Sequence, residues 1–169
     1  FPEEFLKKLA EDGTRNYAIT KKLREILGTK NKKNQVLFFA LNIEHSKMMA
    51  VWLNKNNYPS FHLDAHADFI SRNSCIDAFR SGELRVLCNY GVLSTGFDVP
   101  KIDCIFIARP TVSPVLHSQM VGRGLRGPKL GGTRTCRIIE VEDNIKNFPD
   151  EHISTFDKYQ KLWEKEIIE

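Results

Sequence analysis

The stretch VLCNYGVLSTGFDVPKIDCIFIARPTVSPVLHSQMVGRGLRGP, residues 86–128, decides how the rest of the chain is interpreted. Two segments within it carry chemistry. LSTGFDVP (93–100) is a glycine-containing turn after an apolar run, and QMVGRGLR (119–126) has the pattern Q-x-x-G-R-x-x-R. Between Cys104 and Ile139 the sequence has six Lys or Arg residues and no Asp or Glu. Such a basic segment, with arginines at helical intervals, is suited to binding phosphate oxygens.

Composition places the chain among ordinary globular domains. Its 169 residues are enough for one domain with a sizeable core, and 41% of them are hydrophobic and 27% charged. No apolar run approaches the roughly 18 residues that span a membrane, so we expect a soluble, cytoplasmic protein. The net charge of +4 favours polyanionic partners without requiring them. Because the chain begins at Phe1 rather than Met, we expect it to be a piece of a longer protein.

The cysteines and histidines do not form a convincing metal-binding pattern. The four cysteines are widely spaced and contain no C-x-x-C pair, so we expect them to be reduced and structural. His62 and His66 have the spacing of a zinc helix, but their segment follows a predicted strand and Glu is missing after the first His. The sequence therefore predicts no metal site. Residues 122–127 have the glycine spacing of a phosphate-binding loop, but Pro128 stands where the required Lys belongs.

Apolar runs and amphipathic stretches alternate along the chain. Runs rich in Val, Ile, Leu and Phe predict strands, and stretches with a 3.6-residue apolar period predict helices. Such alternation is typical of a parallel sheet with helices on both faces, in which ligands bind beyond the carboxyl ends of the strands. We therefore expect 93–100 and 119–126, which both follow apolar strands, to share that edge. The predicted strands are 36–40, 60–63, 85–88, 103–108 and 136–141, and the predicted helices are 3–12, 15–27, 44–55, 69–80, 113–125 and 154–169.

Two local signals refine the predicted helices. Asp68 is placed to cap the helix 69–80 at its start, and Gly82 lies just past its end. The apolar period of the helix 44–55 indicates which residues face the core. Those residues are Met48, Met49, Trp52 and Leu53.

Four segments, in this order, resemble the second, C-terminal RecA-like domain of superfamily 2 helicases. They resemble motif IV, the arginine, helix and Gly-Glu turn before motif V, motif V itself and motif VI. The resemblance covers roughly residues 14–143 and, with the ARPT segment, is closest to the RadD-like and restriction-type branch of DNA helicases. The four segments are VLFFALNIEHSK (36–47), RNSCIDAFRSGELRVL (72–87), VLCNYGVLSTGFDVP (86–100) and QMVGRGLR (119–126).

This resemblance implies a RecA-like α/β fold, of the P-loop NTPase type but without a P-loop of its own. Residues 31–145 would form that domain. They would follow an N-terminal helical connector from a missing first motor domain (1–30) and precede a C-terminal helix (146–169) that packs on the domain or leads to the next one. ATP and Mg²⁺ would be held mainly by the missing N-terminal RecA-like domain of the same protein. The other partner would be nucleic acid, with DNA expected, contacted through its backbone.

Motif VI supplies the residues expected to act on ATP. Arg123 and Arg126 are three residues apart, so on a helix they project from one face. By resemblance, we assign both as arginine fingers that reach a γ-phosphate held by the partner domain. Gln119, one turn earlier, would orient the attacking water or bond the γ-phosphate. The alternative is that both arginines are surface ion-pair partners.

The resemblance also assigns the remaining nucleotide contacts. Gly96, Asp98 and Gly122 would belong to the nucleotide site. Asp98 would accept a hydrogen bond from the ATP ribose or support the arginine fingers. The alternative is that residues 95–98 simply make a tight turn.

Contacts to the nucleic-acid backbone are expected from Asn42, Tyr90, Gly91 and Thr95, each with a purely structural role as the alternative. Many relatives carry Ala-Thr-Asp at the start of motif V, where the Thr contacts a phosphate. Here Asn89, Tyr90 and Gly91 stand in those positions. The resemblance therefore implies that a Tyr hydroxyl or a backbone N–H replaces the Thr.

The sequence as a whole predicts the second motor domain of an ATP-dependent DNA helicase or translocase, inactive without its first motor domain. One alternative is the motor subunit of a restriction endonuclease, in which cleavage resides elsewhere. The other is a non-enzymatic module whose arginines contact only nucleic-acid phosphates.

Overall fold

The computed structural model describes residues 1–28, 33–92, 101–125, 127, 129 and 131–143. Its helices and strands alternate as the sequence predicts. The helices are α1 (Glu3–Glu11), α2 (Gly13–Leu27), α3 (Ile43–Lys55), α4 (Phe69–Ser81) and α5 (Pro114–Gly122). The strands are β1 (Val36–Phe39), β2 (Ser60–Asp64), β3 (Val86–Tyr90), β4 (Cys104–Ile107) and β5 (Arg137–Glu140).

The five strands form one sheet in the order β2-β3-β1-β4-β5, and every neighbouring pair is parallel. β1 lies at the centre, where Val36 is in register with Val86 of β3 and with Cys104 of β4. All carboxyl ends of the strands therefore lie along one edge, which we call the carboxyl edge. The predicted parallel sheet is confirmed.

Helices cover both faces of the sheet. Alternate residues of β1 point to opposite faces, so Val36 and Phe38 pack on one side and Leu37 and Phe39 on the other. The first side is covered by α2 and α3, and the second by α4 and α5. Within the described residues, no helix is both long and apolar enough to cross a membrane.

Short polar side chains begin most of these helices. The carboxylate of Asp12 accepts a hydrogen bond from the Arg15 N–H at 3.0 Å, and the same pattern recurs at α3, α4 and α5. Asp68 caps α4, and Gly82 ends it with φ near +85°, so both of these predictions are confirmed.

Two features of the helices differ from the prediction. Met48 was expected to face the core but is 42% exposed, because α3 instead buries His45 and Ser46 along with Met49. The helix predicted over 113–125 ends at Gly122. The predicted terminal helix 154–169 lies outside the described residues.

Candidate functional site

The carboxyl edge brings together three of the expected nucleic-acid contacts. Tyr90 is the last residue of β3, Gly91 follows it, and Asn42 lies shortly after β1, the next strand in the sheet. Gly91 is exposed, with φ near +71°, a backbone conformation that side-chain-bearing residues rarely adopt. These three residues thus follow neighbouring strand ends, and their contacts with nucleic acid stay a prediction.

The side-chain amide of Asn42 makes a hydrogen bond through its oxygen. Its Oδ1 accepts a hydrogen bond from the His45 N–H at 2.7 Å, which caps α3. For its amide NH₂ group, no partner is found in the part of the chain that the structure describes. Because Asn42 is only half-buried, that NH₂ group is placed to donate to an acceptor beyond the edge.

Asn89, which occupies the first of the three variable motif V positions, has a structural role. Its side chain is buried and donates from Nδ2 to the carbonyl oxygen of Phe38 at 2.9 Å. This bond crosses from β3 to β1 just before the strands end. Asn89 therefore holds the end of β3, where Tyr90 lies, against the end of β1, which Asn42 follows.

The first turn of α2 also reaches the carboxyl edge, which the sequence did not indicate. Arg15 donates from Nε and Nη2 to the two carboxylate oxygens of Asp143, at 2.6 and 2.8 Å. Its Nη2 also donates to the carbonyl oxygen of Ala108 at 2.6 Å. The Arg15 side chain thus links the ends of β4 and β5. The only local signal in the sequence was an arginine in an otherwise ordinary amphipathic helix.

His45 extends this polar contact to the end of β1. Its Nδ1 accepts from the Leu41 N–H at 3.3 Å, and its Nε2 lies 3.1 Å from Oδ1 of Asn16. Both contacts are satisfied by the neutral ring with its proton on Nε2. Burial, and then the positive charge of Arg15, lower the pKa of His45 from 6.5 to about 4. His45 is therefore neutral in the folded protein at physiological pH.

We expect stability to fall as the pH falls from 6.5 to about 4, because in that range only the unfolded chain protonates His45. Above pH 6.5 the ring is neutral in both states, so the stabilisation is fully present there. The loss between pH 7 and 4.5 should be roughly 2 to 3 kcal/mol. Urea unfolding of the wild type and of His45→Gln measures it. Gln can keep both hydrogen bonds but cannot titrate, so equal pH dependence of the two proteins would contradict the prediction.

α5 carries the motif VI residues away from the carboxyl edge. It begins beyond the end of β4, and in its middle Nε2 of His117 lies 2.5 Å from Oε1 of Glu140, the last residue of β5. Two residues beyond its last residue, Gly124 packs against Cys136, just before β5, and against Ile105 in β4. The helix therefore runs antiparallel to the strands. Gln119 and Arg123 therefore lie away from the carboxyl edge, where 119–126 was expected, while 93–100, expected at the same edge, lies outside the described residues.

The exposed side of α5 presents Gln119 and Gly122, and Arg123 follows directly as the residue that ends the helix. Arg123 is half-buried, and burial lowers the pKa of its guanidinium, which nevertheless stays charged. Because α5 ends at Gly122, Arg123 lies beyond the helix on which Arg123 and Arg126 were expected to share a face, and Arg126 lies outside the described residues. A partly desolvated guanidinium interacts more strongly with an anion than one in bulk water.

Four of the predicted site residues lie outside the described residues. They are Thr95, Gly96, Asp98 and Arg126. Their roles stay predictions.

Gly124 is a requirement that sequence reasoning missed. A Cβ atom added there would lie 2.4 Å from Sγ of Cys136 and 2.8 Å from Cγ1 of Ile105. Both distances are too short for real contacts, so only glycine lets the end of α5 approach the sheet this closely. The glycine of the G-R-G sequence therefore fixes the position of Arg123 beside it.

Gly124→Ala should destabilise the protein by about 1 to 3 kcal/mol, since overpacking forces neighbouring side chains to shift. The matched control is Gly122→Ala, two residues earlier. An added Cβ there meets nothing within 4 Å, and Ala in place of an exposed helical Gly should leave stability unchanged or raise it. Denaturant unfolding of both variants tests this. If Gly124→Ala unfolds at the same midpoint as Gly122→Ala, the close approach is not a constraint.

No group of three or more His, Cys, Asp or Glu that could hold a metal ion is found among the described residues. His62 contacts Oγ of Ser46 at 2.7 Å and Oδ2 of Asp64 at 3.0 Å. The guanidinium of Arg123 and the amide NH₂ of Gln119 are hydrogen-bond donors, and donors of this kind suit phosphate oxygens.

Comparison with known proteins assigns the chain to a family. The family described as "Helicase conserved C-terminal domain" matches residues 18–127, which is more than half of the chain. The chain belongs to this family. This helicase C-terminal domain has the α/β architecture expected from the sequence.

Two relatives of this helicase C-terminal domain carry the names of ATP-dependent helicases. Irc3 of Schizosaccharomyces pombe, named as a mitochondrial helicase, is 36% identical over 144 residues, which cover 82% of the chain and 23% of that protein. IRC3 of Saccharomyces cerevisiae is 35% identical over 106 residues, which cover 62% of the chain and 15% of that protein. The matched segments thus span less than a quarter of either relative.

Solved structures agree with the fold. S. cerevisiae Dbp5 bound to RNA and ADP BeF3 is similar with a TM-score of 0.61, at 18% identity over 78% of this chain and 33% of that chain. At this identity the likeness shows the fold alone. The predicted RecA-like fold is confirmed.

Proposed function

We propose that this chain is the second motor domain of an ATP-dependent DNA helicase or translocase. It would complete an ATP site together with an N-terminal RecA-like domain of the same protein, and it would form one part of a track for the nucleic-acid backbone. The observation that carries the proposal is the separation of two groups of residues within a helicase C-terminal domain. Gln119 and Arg123 lie at α5, whereas Asn42 and Tyr90 lie at the carboxyl edge.

On the nucleotide side, Gln119, Gly122 and Arg123 would face the γ-phosphate of ATP held by the N-terminal domain. The transition state of phosphoryl transfer spreads negative charge over the γ-phosphoryl oxygens, and an arginine fork stabilises that charge. Arg126, Gly96 and Asp98 would complete this side. Mg²⁺, held by the N-terminal domain, would neutralise charge on the β- and γ-phosphates.

On the nucleic-acid side, Asn42, Tyr90, Gly91 and Thr95 would contact the sugar-phosphate backbone. The amide NH₂ of Asn42 and the half-buried ring of Tyr90 lie at neighbouring strand ends and can meet one strand together. Contacts of this kind are independent of sequence and sensitive to salt. The solved structure of Dbp5 with RNA supports a nucleic-acid role for this type of domain, and the preference for DNA rests on the resemblance of the motifs to DNA helicases.

The two groups on one rigid domain would couple ATP turnover to movement. Closure of the two motor domains would bring Arg123 to the γ-phosphate while the carboxyl edge grips the nucleic acid. Hydrolysis would release Arg123 and let the domains separate.

The test is an ATPase assay on the 169-residue chain alone and on the protein that joins it to its first motor domain. Each is measured without nucleic acid, with single-stranded DNA and with single-stranded RNA. We expect turnover only in the joined protein and stimulation by nucleic acid. Robust turnover by the 169-residue chain alone, or none by the joined protein, would contradict the proposal.

A further inference from the structure

Arg109, to which the motifs assign no role, lies at the carboxyl edge against the ring of Tyr90. Its Cζ is 5.0 Å from the centre of the ring. We propose that Arg109 binds a phosphate of the nucleic-acid backbone and that Tyr90 is its positioning residue. The inference rests on the proposed function, because it names a contact within the same track.

The positions of the two residues follow from the register of the sheet. Phe39 of β1 is in register with Asn89 of β3 and with Ile107 of β4. Tyr90 therefore lies one residue beyond Asn89 in β3, and Arg109 lies two residues beyond Ile107, the last residue of β4. Both strands flank β1. Strands two places apart are roughly 9 to 10 Å apart. The pair thus spans the end of β1, next to Asn42.

The contact with Tyr90 places the guanidinium carbon of Arg109 over the ring and uses none of its N–H donors in a hydrogen bond. A cation over an aromatic ring is held by the ring's electron density, while the N–H donors of an arginine point outward in the plane of the guanidinium. Among the described residues, no hydrogen bond or ion pair of Arg109 is found. Arg109 is half-buried, so the aromatic contact holds the guanidinium and fixes the direction of its donors.

Two further arginines of the described chain, Arg24 and Arg85, contact aromatic rings and are used differently. Arg24 lies 5.0 Å over the ring of Trp52 and donates to Oδ1 of Asn56 at 2.6 Å. Arg85 lies 5.7 Å over a tyrosine ring and donates to a backbone carbonyl oxygen at 2.6 Å. Both spend donors on the protein itself. Arg109 differs from both, because no protein acceptor for its donors is found among the described residues.

The surroundings of Arg109 suit a phosphate. The sequence from Cys104 to Ile139 has no acidic residue, so no carboxylate in this segment competes for the guanidinium. A small pocket of about 70 Å³ beside Arg109 is bordered by Thr111 and Ser113, whose hydroxyl groups can also meet an anion. Asn42 presents its amide NH₂ at the same edge. An arginine fork with neutral donors around it is a usual way to hold phosphate.

The proposal changes what Tyr90 is expected to do. If Tyr90 replaced the Thr of related motifs through its hydroxyl, removal of that oxygen would weaken binding. If its ring positions Arg109, Tyr90→Phe keeps the ring and should keep binding, while Tyr90→Ala should lose it along with the contribution of Arg109.

The experiment measures binding of a fluorescein-labelled 20-nucleotide oligothymidylate by the protein that joins this chain to its first motor domain, from 50 to 300 mM salt. Arg109→Ala should weaken binding roughly tenfold at low salt and reduce the slope of log K against log salt by about 0.7, as for one lost phosphate contact on a single strand. Tyr90→Ala should approach that result, and Tyr90→Phe should match the wild type. Arg24→Ala, which removes an equivalent arginine–aromatic contact and one charge away from the edge, is the control and should match the wild type.

Three outcomes would overturn the proposal. One is an Arg109→Ala slope equal to that of Arg24→Ala. Another is a loss in Tyr90→Phe as large as in Tyr90→Ala, which would assign the contact to the hydroxyl. The third is an increased KM for ATP in Arg109→Ala with an unchanged slope, which would assign the phosphate to the nucleotide. In each case, DNA-stimulated ATPase of the wild type would still support the proposed function, so the two failures can be told apart.

Discussion

Replacement of Arg123 by alanine is expected to slow ATP hydrolysis by about 10³-fold or more, while ATP binding stays within a few-fold of the wild type. The reason is that an arginine finger contacts charge that develops in the transition state, so its loss affects the rate and not the ground-state affinity. The half-burial of Arg123 strengthens this effect, because a partly desolvated charge is less screened by water. Single-turnover hydrolysis and binding of a fluorescent ATP analogue separate the two quantities.

Two further variants sharpen the Arg123 experiment. Arg123→Lys keeps the charge but loses the planar fork, so it should recover only part of the rate. Arg134→Ala removes an exposed arginine of the same basic segment and should hydrolyse ATP like the wild type. The assignment of Arg123 would be wrong if Arg123→Ala turned over within a few-fold of the Arg134→Ala control.

Replacement of Arg15 by alanine is expected to destabilise the fold by about 3 to 5 kcal/mol. The side chains of Arg15 and Asp143 are only 6% and 8% exposed, so the variant would leave a buried carboxylate without its partner. It would also remove a donor from the Ala108 carbonyl oxygen. The same change takes away the charge that helps to lower the pKa of His45. Urea unfolding of the 169-residue chain measures the loss.

The loss of stability should come from removing one partner of this ion pair, because the other partner is then buried without it. Replacing both partners by apolar residues should cost much less. Nη1 of Arg15 is buried and has no hydrogen-bond partner among the described residues, which makes the ion pair expensive to bury. The double variant Arg15→Met/Asp143→Leu should therefore recover most of the stability. Lys22→Ala, which breaks an exposed ion pair with Glu25, should leave the unfolding midpoint unchanged. An Arg15→Ala midpoint equal to that of Lys22→Ala would show that the buried pair contributes nothing.

The sheet could be predicted because its central strands are continuous apolar runs in the sequence. VLFF and CIFI are buried on both faces, and such runs have few other stable arrangements in a soluble domain. The capping of α4 by Asp68 and its end at Gly82 were equally local, since each depends on a few neighbouring residues. These features depend on interactions between residues close in sequence, so they can be recognised in a single sequence.

Contacts between distant residues could not be predicted in the same way. Arg15 and Asp143 are 128 residues apart, and no periodicity in the sequence indicates that they meet. The apolar pattern predicts a helix to Leu125, whereas α5 ends at Gly122. Just after that end, Gly124 lies so close to Cys136 that a Cβ atom would be 2.4 Å from its Sγ, and this contact is not visible in the local sequence. The exposure of Met48 also depends on contacts outside its own helix. α3 buries His45, which bonds Leu41 and Asn16, and not Met48.

The arrangement of the candidate site could not be predicted from the sequence. The motifs indicated Asn42, Tyr90 and Arg123 as candidates, and the α/β topology predicted one shared edge for 93–100 and 119–126. The direction of α5, which follows from where His117 and Gly124 make their contacts, separates Arg123 from the other two. Arg109 belongs to the basic segment that the sequence already indicates. Its proposed role depends on its contact with Tyr90 at the end of another strand, and this contact is seen only in the folded chain.

The position of β5 has a consequence for how this domain can be cut. The family match ends at residue 127, before β5 begins, yet β5 covers the outer side of β4 through bonds such as Val141 N–H to the Ile107 carbonyl oxygen at 3.0 Å. A chain trimmed to the matched residues would expose β4 as a bare, wholly apolar edge strand. Unpaired edges of this kind recruit strands from other molecules, so we expect the trimmed protein to aggregate. The segment after residue 127 thus protects the domain from self-association.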